Sequence, residues 1–273
     1  SRGYGPELRK GDCFPLTILN LQVLTTLLVA QAGGTSILMD RIDAEGVTEW
    51  IKRERVTTWN GPPALLHSLA ERPTIERDDL ASLDEVLTGG GDCPEALRDR
   101  FRQRFGHEVY ATYGLTEAPT VVATDPRGGP PRPGASGRPL PPLDVQIVDD
   151  EICVGAVQEG PWAGVYRPML EYLGRPDATV ATLAGGLLHT GDVGTLDDGW
   201  LTVRDRKSLV VIRGGANVYP AEVERVLVTA PGVAACAVLG LPDERLGERV
   251  VAVLEGEAID EDAVRAHCLE QLA

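Results

Sequence analysis

The sequence has no surplus of positive charge: 26 Lys and Arg stand against 41 Asp and Glu, for a formal net charge of −15. Such a chain repels nucleic acid and anionic lipid, so neither is an expected partner, and a nucleotide site would need only a locally positive patch. Paired cysteines are also lacking. Cys13, Cys93, Cys153, Cys236 and Cys268 are odd in number and form no CxxC pair, which argues against a disulfide framework or a zinc ribbon. Their expected role is that of small buried hydrophobes in a reducing cytosol, with a cytoplasmic location. The histidines (His67, His107, His189, His267) show no HExxH or similar ligand spacing, and packing or surface positions are expected for each. No long apolar run is present. The most apolar stretch, Leu16–Ala32, is broken by Asn20, Gln22, Thr25, Thr26 and Gln31 and falls short of the roughly 20 apolar residues of a bilayer span. A buried helix is expected there, with no transmembrane segment, no signal peptide and no internal repeat.

What is present is enough for one large domain or two ordinary ones: 273 residues, 43% hydrophobic and 25% charged. Helical and strand patterns alternate as far as Phe105. Leu21–Ala30 reads as a helix stopped by Gly33-Gly34, Ser36–Met39 as a strand, and Ala44–Arg53 as a helix with Val47, Trp50 and Ile51 on one face. Strand Val56–Trp59, a helix opened by Pro63, strand Leu83–Thr88 and a helix carrying Leu97, Phe101 and Phe105 follow. This alternation predicts a mostly parallel sheet covered by helices. From about Pro126 the texture changes. Arg127–Pro142 is dense in Gly and Pro, a loop signal, and the short apolar runs Asp144–Val148, Ile152–Val154, Gly186–His189, Trp200–Val203 and Leu209–Ile212 predict a small antiparallel β subdomain. After Gly214-Gly215 a compact α/β module begins: a helix opened by Pro220, strands Ala234–Leu239 and Arg249–Leu254, and a helix from Asp260. A domain boundary is expected near Arg206–Ser208.

Four turns carry candidate chemistry, each with a plainer alternative. Gly89-Gly90-Gly91 ends an apolar strand; it allows close approach of a flat ligand or of backbone, or is simply a tight turn capped by Asp92. It is not GxGxxG, so a dinucleotide fold gains little. Tyr113-Gly114-Leu115-Thr116-Glu117 offers a ring to stack on a base, a hydroxyl for a phosphate and a carboxylate for Mg²⁺, or is an ordinary polar loop. Thr190-Gly191-Asp192 is placed at a turn between two strands, where Asp192 accepts both hydroxyls of a ribose or merely suits the turn. Asp205-Arg206-Lys207, leading into Arg213–Pro220, offers phosphate or ribose contacts, or is a solvated turn before a helix.

The order and spacing of these segments say more than any one of them. The series GGGDCPEAL, YGLTEA, GRPLP, LHTGDVG, DRKS and RGGANVYPAEVE resembles the adenylate-forming superfamily, which holds acyl- and aryl-CoA synthetases, the adenylation domains of peptide synthetases, and luciferase. The resemblance covers nearly the whole chain and is greatest toward acyl-CoA synthetases. It implies an α/β fold: residues 1–206 as part of a large N-terminal domain, with 126–206 its β subdomain, and 207–273 as the start of a small mobile C-terminal domain, both incomplete. It implies that Gly89, Gly90 and Gly91 line the adenine and acyl pocket with Tyr113 and Gly114 against the nucleotide. Thr116 contacts phosphate and Glu117 carries Mg²⁺. Asp192 and Arg206 reach the ribose, and Trp59, Asn60 and Gly61 build the acid pocket. Gly214 and Gly215 border the coenzyme A tunnel, and Ser208 is the hinge. The implied activity is ATP-dependent conversion of a small carboxylic acid to acyl-AMP and then to a thioester with coenzyme A, with ATP, Mg²⁺ and coenzyme A as cofactors and fatty-acid metabolism as the setting. Thr116 and Glu117 are the expected catalytic residues.

Several features depart from the family pattern. A Ser/Thr/Gly-rich phosphate loop with its Lys does not precede the segment and no C-terminal lysine follows, so the chain is expected to be cut at both ends and unable to adenylate alone. Ser208 and Leu209 stand where a hinge Asp or Lys and an acid are common, and Ile18 where a His often stands. Residues are also expected to be missing between Asp150 and Glu151, because the run Asp149-Asp150-Glu151 lacks the Gly or Asn of a tight hairpin. The rivals are an aryl-acid or amino-acid adenylation domain serving an acyl carrier protein, and a non-catalytic nucleotide- or acyl-binding relative. Phe14–Gln31 contains no carboxylate to pair a buried ammonium group, which counts against amino acids. Oligomeric state is open.

Overall fold

The computed structural model of the chain describes residues 2–91, 93–243 and 245–272. Strands β1 (Arg9–Asp12), β2 (Thr35–Leu38), β3 (Thr58–Asn60), β4 (Glu85–Thr88) and β5 (Val109–Tyr113) pair in parallel. β6 (Ala123–Thr124) and β7 (Arg138–Pro139) add antiparallel at one edge, giving the order β2-β1-β3-β4-β5-β6-β7. The connections are helical, as a parallel sheet requires. Between β1 and β2 the expected single helix is α1 (Leu19–Leu21), a π-helical stretch Gln22–Leu27 and α2 (Leu28–Ala32), closed by Gly33 at φ 71°. Within that stretch the Thr26 hydroxyl bonds the Gln22 carbonyl and the Thr25 hydroxyl reaches buried Asp12, contacts that compete with the regular helical ladder. α3 (Ala44–Glu54) starts at Asp43, whose carboxylate accepts from Gly46 N at 2.9 Å. α4 (Pro63–Glu71) begins on a proline, and α5 (Glu95–Phe105) follows Pro94 as its N-cap. The expected cap at Asp92 lies outside the described residues.

These three helices bury Val47, Ile51, Leu66, Leu69 and Phe101 against Trp59 and Val86 of the sheet, all wholly inaccessible. Each such side chain contributes about 1.5–3 kcal/mol by burial. That core fixes where the strand ends lie.

A second sheet, in the order β11-β10-β9-β8, consists of β8 (Leu143–Val148), β9 (Glu151–Ala156), β10 (Leu188–Asp197) and β11 (Trp200–Arg206); α6 (Pro176–Thr182) lies between β9 and β10. Two expectations are corrected here. Asp149 and Asp150 close the β8–β9 turn themselves at φ 49° and 64°, so no extra residues are needed; aspartate tolerates the left-handed region better than most side chains. Thr190-Gly191-Asp192 is not a turn between strands but part of β10. Gly191 stands at φ 73° there, a local break that leaves the strand running on to Asp197.

The last sheet is antiparallel: β12 (Val211–Arg213), β13 (Ala216–Val218), β14 (Val233–Asp243) and β15 (Gly247–Gly256), ordered β13-β12-β15-β14. α7 (Pro220–Leu227) and α8 (Glu261–Gln271) supply Leu227 and Val264 to a small core with Ala230 and Val238. Asp260 caps α8, accepting from Asp262 N at 3.0 Å. The contacts divide the chain into two units. The first holds residues up to Gln146, Cys153–Thr190 and Leu196–Thr202; the second holds Ile147–Ile152, Gly191–Thr195 and everything from Val203. No helix among the described residues is long and apolar enough to cross a membrane.

Candidate functional site

In the first unit, three neighbouring parallel strands end in three of the motifs singled out by sequence. β3 runs into Asn60-Gly61, β4 into Gly89-Gly90-Gly91, and β5 into Tyr113-Gly114. The carboxyl ends of parallel strands are where open α/β sheets hold ligands. The glycines divide their tasks. A Cβ on Gly89 would lie 2.4 Å from the Thr112 hydroxyl and 2.7 Å from its carbonyl, whereas Gly90 has no such neighbour within 4 Å and Gly91 meets only the Pro63 ring at 3.8 Å. Gly89 therefore serves strand contact, and Gly90 and Gly91 leave open space. At the same edge Asn60 Oδ1 and Thr88 Oγ1 are buried without a hydrogen-bond partner. Trp59 is wholly buried in the core, with Gly61 against its ring; it lies under the edge rather than in an open wall.

The loop from β5 to β6 carries Thr116 and Glu117. It is folded tightly on itself: a Cβ on Gly114 would sit 1.9 Å from the Thr120 carbonyl oxygen, so only glycine fits. Val122 N donates to Tyr113 O at 2.8 Å, and buried Ala118 and Val122 anchor the loop beneath. Thr116 is left exposed and Glu117 half-buried. A distant segment then fixes Glu117. Met169 N donates to its carbonyl at 2.7 Å, and the Tyr172 hydroxyl donates to its Oε1 at 2.8 Å. A carboxylate held at one oxygen in this way suits a hard cation, which magnesium sites usually meet through one or two carboxylates plus phosphate.

In the second unit, Asp192 is 4% exposed and its Oδ1 meets Arg206 Nε at 3.0 Å, the guanidinium side chain itself being mostly exposed. The structure thus brings these two predicted ribose residues together. Arg206 is preceded by Asp205, whose Oδ1 accepts from Arg206 N at 2.7 Å and whose Oδ2 accepts from Ala221 N at 2.9 Å, capping the start of α7. Gly214 and Gly215, at φ 60° and 87°, are the two-residue turn between β12 and β13. Ser208 lies in the exposed turn after β11, closed by Leu209 N on Arg206 O at 2.8 Å.

Sequence reasoning missed Tyr172 and Glu151. Tyr172 meets its partner across a separation of 55 residues, for which no local spacing gives a sign. Glu151 was read as part of a turn, yet it opens β9 and binds Gly191 and Lys207. His189 Nδ1 stands 3.4 Å from Cys153 Sγ. None of the five cysteines is joined in a disulfide.

Comparison with known proteins shows the family. Residues 13–160 match the AMP-binding enzyme family and 222–273 its C-terminal domain. A feruloyl-CoA synthase of Amycolatopsis is 38% identical over 268 residues, covering 95% of this chain and 54% of that protein. A long-chain-fatty-acid–CoA ligase of Mycobacterium tuberculosis is 34% identical over 267 residues, 95% of this chain and 52% of its own length. The ATP-bound structure of MatB from Rhodopseudomonas palustris superposes with a TM-score of 0.87 at 25% identity, over 99% of this chain and 55% of that one. The chain spans about half the length of the curated relatives it matches. With both the motifs and the sheet edge that displays them in place, the chain belongs to the AMP-binding enzyme family.

Proposed function

We propose that the protein of which this chain forms at least a part joins a carboxylic acid to a thiol at the expense of ATP. A carboxylate oxygen attacks the α-phosphorus of ATP, pyrophosphate leaves, and the resulting acyl-AMP is attacked at its acyl carbon by the coenzyme A thiol, releasing AMP. Such chemistry asks the protein mainly for positioning and charge stabilisation. The observation that carries the reading is the convergence of Asn60-Gly61, Gly89–Gly91 and the Tyr113–Glu117 loop on one carboxyl edge of the parallel sheet.

Within it, Tyr113 stacks on adenine and the Thr116 hydroxyl donates to phosphate. Glu117, oriented by Tyr172, would hold Mg²⁺, whose charge offsets that of the phosphates. Gly90 and Gly91 leave room for the flat base, and Asn60 and Gly61, backed by Trp59, face the acid. Asp192 accepts from the ribose hydroxyls and Arg206 donates to the same ribose. Residues 1–206 act as the large domain and 207–273 as a small one pivoting at Ser208, which brings Gly214 and Gly215 to the pantetheine arm between the two steps. Five cysteines, odd in number and with no CxxC pair, support a cytoplasmic setting.

ATP–pyrophosphate exchange by the full-length protein tests this, using a panel of aryl and fatty acids because relatives of both kinds are similar to the chain. Acid-dependent exchange is expected, followed by thioester formation with coenzyme A. Thioester formed only on a carrier protein would move the thiol assignment. AMP binding without exchange for any acid would favour a non-catalytic relative.

A further inference from the structure

Glu151 opens β9 with a side chain only 10% exposed. Its Oε1 accepts from Gly191 N at 2.8 Å, and its Oε2 meets Lys207 Nζ at 3.2 Å. These two partners are joined to each other, Lys207 N donating to Gly191 O at 2.8 Å. The next residues along each strand form a second rung, Asp192 Oδ1 against Arg206 Nε at 3.0 Å. One carboxylate therefore grips both members of the rung beside the Asp192–Arg206 pair. Its hold on Gly191 matters most. At φ 73° that residue departs from strand geometry, and its part-buried N–H is directed to Glu151; losing that acceptor removes the bond that holds the break. An ion pair with a Lys as exposed as Lys207 adds little stability by itself; what it does is hold the second carboxylate oxygen, so that the first faces Gly191 N.

We propose that Glu151 is a positioning residue for ribose recognition: it locks the break at Gly191, whose carbonyl in turn holds Lys207 N, and so fixes the direction from which Asp192 and Arg206 meet the ribose hydroxyls. This rests on the reading of Asp192 and Arg206 given above. Glu151 acts only through them and contacts no part of the nucleotide.

The test is equilibrium binding of AMP and of 2′-deoxyAMP to the full-length protein, by calorimetry, with thermal melts alongside. The wild type should prefer AMP by about tenfold or more, the worth of one hydrogen bond to a charged group. Glu151→Ala should bring the two nucleotides to within about threefold of each other while leaving binding of the shared adenine and phosphate largely intact. Glu151→Gln, which keeps an acceptor for Gly191 N, should recover most of the preference. If the alanine variant does not fold, Lys207→Met carries the test, because its change is at an exposed side chain; its preference must fall below that of the wild type. Folded variants that keep the full wild-type preference overturn the role of Glu151 alone. A wild type that binds AMP with no ribose preference instead overturns the Asp192 reading, and Glu151's role with it.

Discussion

At the carboxyl edge of the parallel sheet the main chain does most of the placing. Gly89 lies against Thr112, Gly114 lies under the Thr120 carbonyl, and the β5–β6 loop closes through Val122 N on Tyr113 O. Around Asp192 charged side chains do it: Arg206 on Asp192, Lys207 on Glu151, and Asp205 on the first turn of α7. The first kind of construction tolerates almost no change at its glycines, because backbone atoms cannot swing aside as the end of a side chain can. The second is adjustable at its exposed cations, since Arg206 and Lys207 exchange partners at small cost, while Asp192 and Glu151 are largely buried. A rigid edge suits groups that must meet phosphates in one geometry. An adjustable corner suits residues next to a proposed pivot, where partners change between steps.

The sharpest way to break that comparison is Gly114→Ala. The added Cβ has to move the Thr120 carbonyl, and with it the loop that carries Thr116 and Glu117. A misplacement of about 1 Å in a positioning group can cost on the order of 10²-fold in rate, and a loss of that size in pyrophosphate exchange is expected, with a lowered thermal midpoint. Activity within a factor of about three of the wild type would show that the loop yields and that the edge is not set by main-chain closeness.

The same contrast explains how much was legible beforehand. Helices, strands and the order of the motifs were readable because periodicity and glycine placement are local: α3 follows from Val47, Trp50 and Ile51, and the crevice glycines from backbone crowding. A mostly parallel sheet follows from alternation, but which strand ends lie side by side does not. What could not be read lay in contacts made at long range. Nothing near Tyr172 in sequence announces Glu117, and Glu151 looked like a turn residue because Asp149 and Asp150 were not expected to take positive φ. Thr190–Asp192 was misplaced for a related reason: a glycine pattern signals a change of backbone direction, and here Gly191 makes a break inside a strand that continues. The π-helical stretch under Thr25 and Thr26 was likewise invisible, as it depends on a hydroxyl reaching Asp12 on another element.

Tyr172→Phe probes a side-chain contact on the largely backbone-built edge. Removing the hydroxyl leaves Glu117 held by Met169 at its main chain but with its carboxylate undirected. A hydrogen bond to a charged group is worth about 1.5–3 kcal/mol, so exchange activity should fall by about tenfold or somewhat more. The fall should be larger at limiting Mg²⁺ than at saturating Mg²⁺, which separates orientation of the carboxylate from a general weakening of the fold. An equal loss at both concentrations would place the contact among structural ones.

The smallest expected effect sits at the other end of the same strand and leaves the crevice untouched. His107 precedes β5, whose far end is Tyr113. Burial pushes its pKa below the ordinary 6.5, against a smaller upward pull from its backbone bond with Leu80. The folded protein thus takes up a proton at His107 less readily than the unfolded chain does. Between the ordinary histidine pKa and the lower folded value, the unfolded state binds more protons, so stability is full above that window and drains away as pH falls through it. Urea midpoints at about pH 7.5 and about pH 5.5, compared between the wild type and His107→Gln, measure this contribution. The wild type should lose more stability over that interval than the variant, which has nothing to protonate there. Affinity for AMP, measured where both proteins are folded, should be equal in the two, because the main chain and not this histidine holds Tyr113 and Gly114 in place. An identical loss of stability in both proteins would assign the acid sensitivity to other groups. An altered AMP affinity in the variant would mean that strain at the start of β5 travels along the strand to the crevice, and the edge would then be less rigid than its glycines imply.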